Sequence, residues 1–382
     1  MKIRERPYER VAEGLRKRIS AGEWQPGEMI PARRILALEY GVAVATLERA
    51  AGALIGEGLL LASDRRGTFV AHLRDKVSHD KAELAPISGG TRAPLQATVG
   101  IVASIIHYDK PELRREQWAG KILAAVEHGL SAEQGLTQRF MNLVQPGEKD
   151  LLTSRAVEQL LSHGVNAVVV IGDVDQEGAI SLCEKAGVPL VSLEYDPVPF
   201  LVPQVYLDNA AGGMLAARHL RDRGYSHLTF LRPFSAVWAE ARLSGARAVM
   251  GQDDLRVFPA EIRQEVPGTG DDQRKYGYDL GCSLLNTDFK PGTGVIAPND
   301  SVAMGFMRAA TEKGLVPGKD YGIVGFDDFN REAHLTSLRP PLDQMGEEGA
   351  RLVVRLLRGE SSATRIALQH RLIARSSTSQ GI

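Results

Sequence analysis

Residues 30–50 contain the pattern that most restricts how the N-terminal part of this chain can fold. The stretch predicts two short helices separated at Gly41. Pro31 suits the first position of the first helix, because its missing N–H would have no helical partner there in any case. Gly41 suits the end of that helix, because glycine adopts the left-handed conformation without steric cost. Two helices joined by a tight turn form a helix-turn-helix, whose second helix can lie in the major groove of DNA.

The segments on both sides of this motif match a larger domain. An amphipathic helix is predicted over residues 8–22, and residues 54–61 lead into the sequence Arg65-Arg-Gly-Thr-Phe-Val70. Together, residues 4–71 resemble the winged-helix DNA-binding domain of GntR-type transcription regulators. The resemblance implies a β-hairpin wing over residues 59–70, with its tip near residues 64–67.

The second helix departs from the GntR pattern at the positions that usually contact bases. The family has Ser or Thr and then Arg early in this helix, and a second Arg four residues later, whereas this chain has Ala43, Val44 and Glu48. Arg can bind a guanine edge through two hydrogen bonds, while Val and Ala can only contact a thymine methyl group. Glu48 would repel a phosphate or could accept a hydrogen bond from a cytosine amino group.

Several residues of this region are candidates for contacts with DNA phosphates and grooves. Any single arginine among them could instead be a solvated surface residue of its helix. The candidates are Arg33, Arg34, Ala43, Thr46, Arg49, Arg65 and Arg66.

Composition and charge restrict the class of protein. A chain of 382 residues can form two or three domains with a sizeable core. Its net charge is −1, and residues 1–75 carry 13 Lys and Arg against 10 Asp and Glu, which is a weak electrostatic footprint for DNA binding. The two distant cysteines, Cys183 and Cys282, predict neither a disulfide framework nor a metal site and fit a reducing compartment. Because no signal sequence or long apolar stretch is evident, we expect a cytoplasmic protein that does not contact the membrane.

From residue 98 onward, short apolar strands alternate with amphipathic helices. This alternation predicts an α/β architecture of parallel sheets with flanking helices, and its length predicts two lobes. Residues 72–97, rich in charge and then in Pro, Ser and Gly, predict a linker. The predicted organisation is therefore a winged-helix domain over 1–71, a linker over 72–97, and a two-lobed domain over 98–382. The strand candidates are residues 99–105, 167–171, 190–193, 205–207, 228–231, 294–297 and 323–326, and the helix candidates are 114–133, 151–162, 210–223, 237–250, 275–285, 302–313 and 347–357.

Several motifs in this region follow a familiar order. They include Val205-Tyr-Leu-Asp-Asn-Ala-Ala-Gly-Gly213, Arg242-Leu-Ser-Gly245 and Val324-Gly-Phe-Asp-Asp328. Residues 98–378 resemble the effector domain of LacI/GalR-type repressors, which is related to periplasmic sugar-binding proteins. The resemblance implies two lobes, three crossover segments and a ligand in the cleft. The combination with a GntR-type head is similar to arabinose-responsive repressors, and it implies a homodimer that binds a double-stranded DNA operator.

Ligand-site candidates follow from the expected sheet topology and from the resemblance. Loops at the carboxyl ends of parallel strands form the ligand crevice of such folds, and polar side chains follow several predicted strands. The Arg242 guanidinium, with five donors, suits a vicinal diol or a carboxylate. The resemblance adds aromatic and acidic residues of both lobes. The candidates are Tyr108, Trp118, Glu194, Trp238, Arg242, Asn299, Asp327 and Glu347.

Structural roles remain open for most of these candidates. Arg242 could form an ion pair between the lobes, and Trp118 could be a core residue. Asn299, Asp327, Glu194 and Glu347 could likewise be structural. Two neighbouring acids are left out, because Asp300 is predicted to cap the following helix and Asp328 to be a turn residue.

No catalytic or cofactor-binding motif is evident in the sequence, so we expect no enzymatic activity, no metal and no cofactor. The leading hypothesis is a transcription regulator, a repressor, whose operator affinity is controlled by a small sugar or polyol. The alternative is an intracellular sugar-binding or sugar-modifying protein with a vestigial DNA-binding head.

Overall fold

A computed structural model of the chain shows two compact units among the residues that it describes, residues 7–70 and residues 94–379. The second unit therefore begins at Pro94, inside the segment predicted as a linker. The described residues are 7–20, 23–24, 30–31, 33–56, 60–63, 67–70, 94–105, 118–144, 151–172, 176–194, 196–198, 202–250, 254–261, 270–287, 289–329, 334–360 and 364–379.

The N-terminal unit is a winged helix-turn-helix, as predicted. Its elements are α1 (Pro7–Ser20), α2 (Arg33–Tyr40), α3 (Val44–Gly56), β1 (Leu60–Ser63) and β2 (Gly67–Val70). Strands β1 and β2 pair antiparallel as the wing; of its predicted tip near residues 64–67, residues 64–66 lie outside the described residues.

The turn and the core of this unit follow from the sequence pattern. Gly41 has a φ of 60°, in the left-handed region that glycine tolerates, and it separates α2 from α3. Leu15, Leu36, Leu47 and Leu54 are fully buried together. The head therefore has a hydrophobic core of its own.

The C-terminal unit contains two lobes, each built on one sheet. In chain order, its elements are β3 (Ala97–Ala103), α4 (Trp118–Ser131), β4 (Leu136–Asn142), α5 (Thr153–Ser162), β5 (Ala167–Ile171), α6 (Gln176–Ala186), β6 (Leu190–Glu194), β7 (Gln204–Leu207), α7 (Asn209–Asp222), β8 (His227–Leu231), α8 (Val237–Met250), β9 (Leu255–Phe258), α9 (Gly270–Thr287), β10 (Thr293–Ile296), α10 (Asp300–Glu312), β11 (Gly322–Phe326), β12 (Thr336–Arg339), α11 (Leu342–Leu357), β13 (Arg365–Leu368) and β14 (Arg371–Ile373).

The two sheets have the parallel topology that the alternation predicts. The first lobe has the strand order β13-β7-β6-β5-β3-β4, with every pair parallel. The second lobe has the order β14-β12-β11-β10-β8-β9, in which only the edge strand β14 runs antiparallel to its neighbour. The chain passes between the lobes after β7, after β12 and after β13, which confirms the prediction of two lobes joined by three crossovers. The described residues include no helix with the length and apolar character needed to cross a bilayer.

Two helices of the second lobe, α7 and α8, approach each other through glycines. A Cβ atom added to Gly213 would lie 1.9 Å from the carbonyl oxygen of Arg242, and one added to Gly245 would lie 1.9 Å from that of Ala210. Since no side chain larger than hydrogen fits at either crossing point, the backbones are in direct contact. This contact brings Arg242 of α8 next to Asn209 at the start of α7.

Candidate functional site

Arg242 is the centre of a buried polar cluster in the C-terminal unit. Its side chain is 0% exposed, its Nε donates to Asn209 Oδ1 at 2.9 Å, and its Nη1 donates to the carbonyl oxygen of Pro298 at 2.6 Å. The guanidinium carbon lies 4.2 Å from the ring centroid of Phe326 and 4.8 Å from that of Trp238. A buried charge is tolerated only where hydrogen bonds and opposite charges compensate its lost hydration. These contacts therefore hold the guanidinium in one position.

Asp196 brings the first lobe into this cluster. It lies just after β6, and Asn209 Nδ2 donates to its Oδ1 at 3.2 Å. The backbone of Trp238, at the start of α8, also hydrogen-bonds the carboxylate. From the sequence, Glu194 at the end of β6 was selected and Asp196 was missed. Both are acidic residues at the carboxyl end of the same strand, so the sequence signal is the same for both.

The environment of Asp196 makes its ionisation unfavourable. Burial raises the pKa of its carboxyl to about 6, although the Asn209 hydrogen bond, the Arg242 charge and the Trp238 backbone hydrogen bond all lower the pKa. The folded protein thus binds this proton more tightly than an unfolded chain does, in which an aspartate has a pKa near about 3.9. The contribution of Asp196 to the free energy of unfolding therefore falls as the pH rises from about 4 to about 6.

We expect Asp196→Asn, which mimics the neutral carboxyl, to melt above the wild type by a few degrees at pH 8. The difference should shrink steadily as the pH falls from about 6 to about 4, because the wild-type carboxyl is then neutral in the folded state. Thermal melts of both proteins between pH 4 and pH 8 measure this. The exposed Asp254, which directly precedes β9, offers a control, since Asp254→Asn removes a carboxylate from a hydrated position and should change the melting temperature at pH 8 by much less. A pH-independent difference for Asp196→Asn would contradict the assignment.

Asp327, from the second lobe, is the second carboxylate of this cluster. It follows β11 with a φ of 97°, a conformation that is strained for a residue other than glycine and that concentrates at functional sites. Its Oδ1 is buried and has no hydrogen-bond partner among the described residues. Burial raises the pKa of this carboxyl, and the charges of Arg242 and of Lys121 from α4 in the first lobe oppose that rise.

The residue that caps α10 is Asn299 and not Asp300. Asn299 caps α10, because its Oδ1 accepts the backbone N–H of Val302 at 3.0 Å, and its amide nitrogen donates to Gln273. Asp300 lies in the first turn and accepts the hydroxyl of Ser337 at 2.8 Å, so the prediction that it caps the helix is wrong. Its pKa is raised well above the usual value, first by burial and then by the charge of Asp327. Asp328 was predicted to be only a turn residue, but its carboxylate also forms ion pairs with Arg339 and Arg375.

The remaining ligand candidates lie in three kinds of environment. Glu194 is buried and accepts a hydrogen bond from the Gln176 side chain. Trp118 begins α4, and its ring packs on Gly172, where an added Cβ would lie 2.5 Å from the indole. Glu347 is exposed on α11 and pairs with Arg351 at 3.3 Å, so the structure places it on the surface. Tyr108 lies outside the described residues.

In the head, two of the arginine candidates have partners within the protein. Arg33 lies 3.6 Å from the Glu48 carboxylate, and the Arg49 guanidinium lies 4.4 Å from the ring centroid of Tyr8. Ala43 is exposed just before α3, and Thr46 is half-buried.

Three further arginine candidates belong to α2 and to the predicted wing. Arg34 belongs to α2, but its side chain lies outside the described part of the chain, as do Arg65 and Arg66 of the wing. Their contacts with DNA stay predictions.

These features define a two-part class of protein: a winged-helix head followed by a two-lobed α/β unit with a polar cluster at its lobe junction. Comparison with known families agrees. Residues 7–70 match the gntR family of bacterial regulatory proteins, and residues 217–378 match the periplasmic binding protein-like domain. The chain therefore contains a gntR-type head and a periplasmic binding protein-like domain, in agreement with the two resemblances found in the sequence.

Curated relatives match a part of this chain. The transcriptional repressor PurR of Glaesserella parasuis serovar 5 is 27% identical over 233 residues, which cover 61% of this chain and 65% of that protein. The chain thus spans just under two thirds of the length of the curated relatives that it matches.

Solved structures share the fold. A LacI family regulator from Enterococcus faecium with bound ribose is 21% identical with a TM-score of 0.56, covering 75% of this chain and 100% of that one. The lac repressor dimer bound to operator and the anti-inducer ONPF is 19% identical with a TM-score of 0.56, covering 75% of this chain and 95% of that one.

Proposed function

We propose that this protein is a transcription regulator, a repressor, whose affinity for a double-stranded DNA operator is controlled by a small sugar or related polyol. The observation that carries the proposal is the buried cluster around Arg242, together with the unpartnered oxygen of Asp327. A guanidinium fork and a carboxylate oxygen can bind adjacent hydroxyl groups of one sugar. Trp238 supplies an apolar wall for the C–H face of the ring. The ribose bound to the regulator from Enterococcus faecium supports a pentose as the first ligand to test.

Contacts from both lobes support a mechanism of control. Asp196 and Lys121 from the first lobe act on Arg242 and Asp327 of the second. A ligand held among these four residues interacts with both lobes only when they are close together. It can therefore change DNA affinity to the extent that it binds the closed arrangement more tightly. A homodimer with two heads would bind two half-sites about one helical turn, or a multiple of it, apart.

The test begins with a thermal-shift screen of the full-length protein against pentoses, hexoses, sugar acids and nucleosides. We expect one sugar or polyol to raise the melting temperature by several degrees. The same compound should change the affinity for a DNA fragment selected with the protein by about tenfold or more, which gel shifts measure. A stabilising ligand that leaves DNA affinity unchanged would contradict the proposed regulation. The proposal also places the protein in the cytoplasm, where the operator lies, and away from the membrane.

The alternative is an intracellular sugar-binding or sugar-modifying protein whose head has lost DNA binding. The observation that favours it is the replacement of the usual base-contacting residues by Ala43, Val44 and Glu48. Two measurements separate the alternatives. Failure to bind any DNA fragment at low salt would support the vestigial head, and turnover of the stabilising ligand would support an enzyme.

A further inference from the structure

The N-terminal end of α3 presents apolar groups where a helix-turn-helix contacts bases. Val44 is the first residue of the helix and is 39% exposed, and the exposed Ala43 directly precedes it. The carbonyl oxygen of Ala43 accepts the backbone N–H groups of Thr46 at 2.9 Å and Leu47 at 3.2 Å, so the helix starts at this residue. In a helix-turn-helix, the N-terminal residues of the second helix contact base edges in the major groove.

We propose that the head selects its half-site by apolar contact of Ala43 and Val44 with thymine methyl groups. This inference rests on the proposed DNA-binding function and specifies how that function is carried out. Neither side chain can donate or accept a hydrogen bond. The 5-methyl group of thymine is the apolar group that a standard base pair presents in the major groove, so it is the matching partner.

The charged residues nearby have other partners, which strengthens the assignment. Glu48 stands where the family has its second base-contacting Arg, and its carboxylate lies 3.6 Å from Arg33. Each charge therefore partly neutralises the other. The guanidinium of Arg49 packs on the Tyr8 ring at 4.4 Å. Ala43 and Val44 are thus the exposed, uncharged residues at the N-terminal end of α3.

The test starts from DNA sequences that the full-length protein selects from a random pool at low salt. We expect the selected half-site to contain thymines at fixed positions. Each such thymine is then replaced by deoxyuridine, which removes the 5-methyl group and keeps every hydrogen-bonding group of the base. Loss of one buried methyl contact should weaken binding roughly fourfold per contacted position. Deoxyuridine in the flanking DNA should have no effect.

Two substitutions on exposed side chains provide matched variants. Val44→Ala should lower affinity for the thymine duplex and reduce the deoxyuridine effect, because fewer apolar atoms meet the methyl group. Leu38→Ala serves as the control, since Leu38 of α2 is 88% exposed and α2 does not supply the base contacts. Its deoxyuridine effect should equal that of the wild type.

The outcomes separate the inference from the function on which it rests. Sequence-specific binding that is insensitive to deoxyuridine at every thymine, or a selected half-site without thymine, would overturn the methyl contact while leaving the regulator intact. Failure to select any sequence, with no binding to duplex DNA at low salt, would instead overturn the proposed DNA-binding function itself.

Discussion

Replacing Arg242 with alanine is expected to abolish the response to the effector and to leave DNA binding by the head intact. The substitution removes a fully buried cation together with its hydrogen bonds to Asn209 and Pro298. It also removes a positive charge that lowers the pKa of the buried Asp327 carboxyl. Breaking a buried charged network of this kind costs about 3 kcal/mol or more of unfolding free energy. Loss of the guanidinium donors should weaken effector binding by roughly a hundredfold.

The measurements for this prediction separate ligand binding from folding. Titration calorimetry reports effector affinity, chemical denaturation reports stability, and gel shifts report DNA binding with and without effector. Arg232→Ala is the matched control, because Arg232 lies in the same lobe but forms a partly exposed ion pair with Glu240 at 2.7 Å. Arg242→Lys keeps the charge without the planar fork and should bind the effector with intermediate affinity. A normal effector response in Arg242→Ala would remove Arg242 from the ligand site.

Buried, continuously apolar strands were predictable from the sequence, and polar or edge strands were not. Every residue of β5 is buried, as expected for the centre of a parallel sheet, and its Val-rich run was found. Strand β4 was missed because it lies at an edge and contains the polar run Thr137, Gln138 and Arg139. Strand β12 was missed because it buries the polar residues Thr336 and Ser337 on its two faces, and their hydroxyls form tertiary hydrogen bonds. Such partners lie far away in the sequence, so periodicity gives no sign of them.

The same physical distinction applies to the candidate site. Trp238, Arg242 and Asp327 belong to short local motifs. In the structure the Arg242 guanidinium lies 4.8 Å from the Trp238 ring and 4.2 Å from the ring of Phe326, the residue before Asp327. Asp196 carries the same sequence signal as Glu194, an acid at the carboxyl end of β6, so the sequence alone does not choose between them. Lys121 was missed because it lies within α4, and only the crossover topology brings that helix to the cluster. For Glu347, the resemblance suggested a place in the cleft, whereas its four-residue spacing from Asp343 and Arg351 indicates the exposed polar face of α11, where the structure has it.

Substitution of Gly245 with alanine is expected to have the largest effect on stability. The added Cβ would lie 1.9 Å from the carbonyl oxygen of Ala210, which is a backbone atom and cannot rotate away. Helices α7 and α8 would have to separate, at a cost of about 3 kcal/mol or more. Because Arg242 lies one turn before Gly245, this separation would also pull its Nε away from Asn209. The variant should therefore lose the effector response together with stability.

Gly52→Ala in α3 is the control for this experiment. No heavy atom lies within 4 Å of a Cβ at Gly52, and its φ is outside the left-handed region, so alanine should fit without strain. Since alanine is the better helix former by about 0.8 kcal/mol or slightly more, this variant should be as stable as the wild type or more stable. Denaturant unfolding followed by circular dichroism compares the three proteins. A Gly245→Ala variant within about 1 kcal/mol of the wild type would show that the helices can separate at little cost, and the placement of Arg242 would then not depend on their contact.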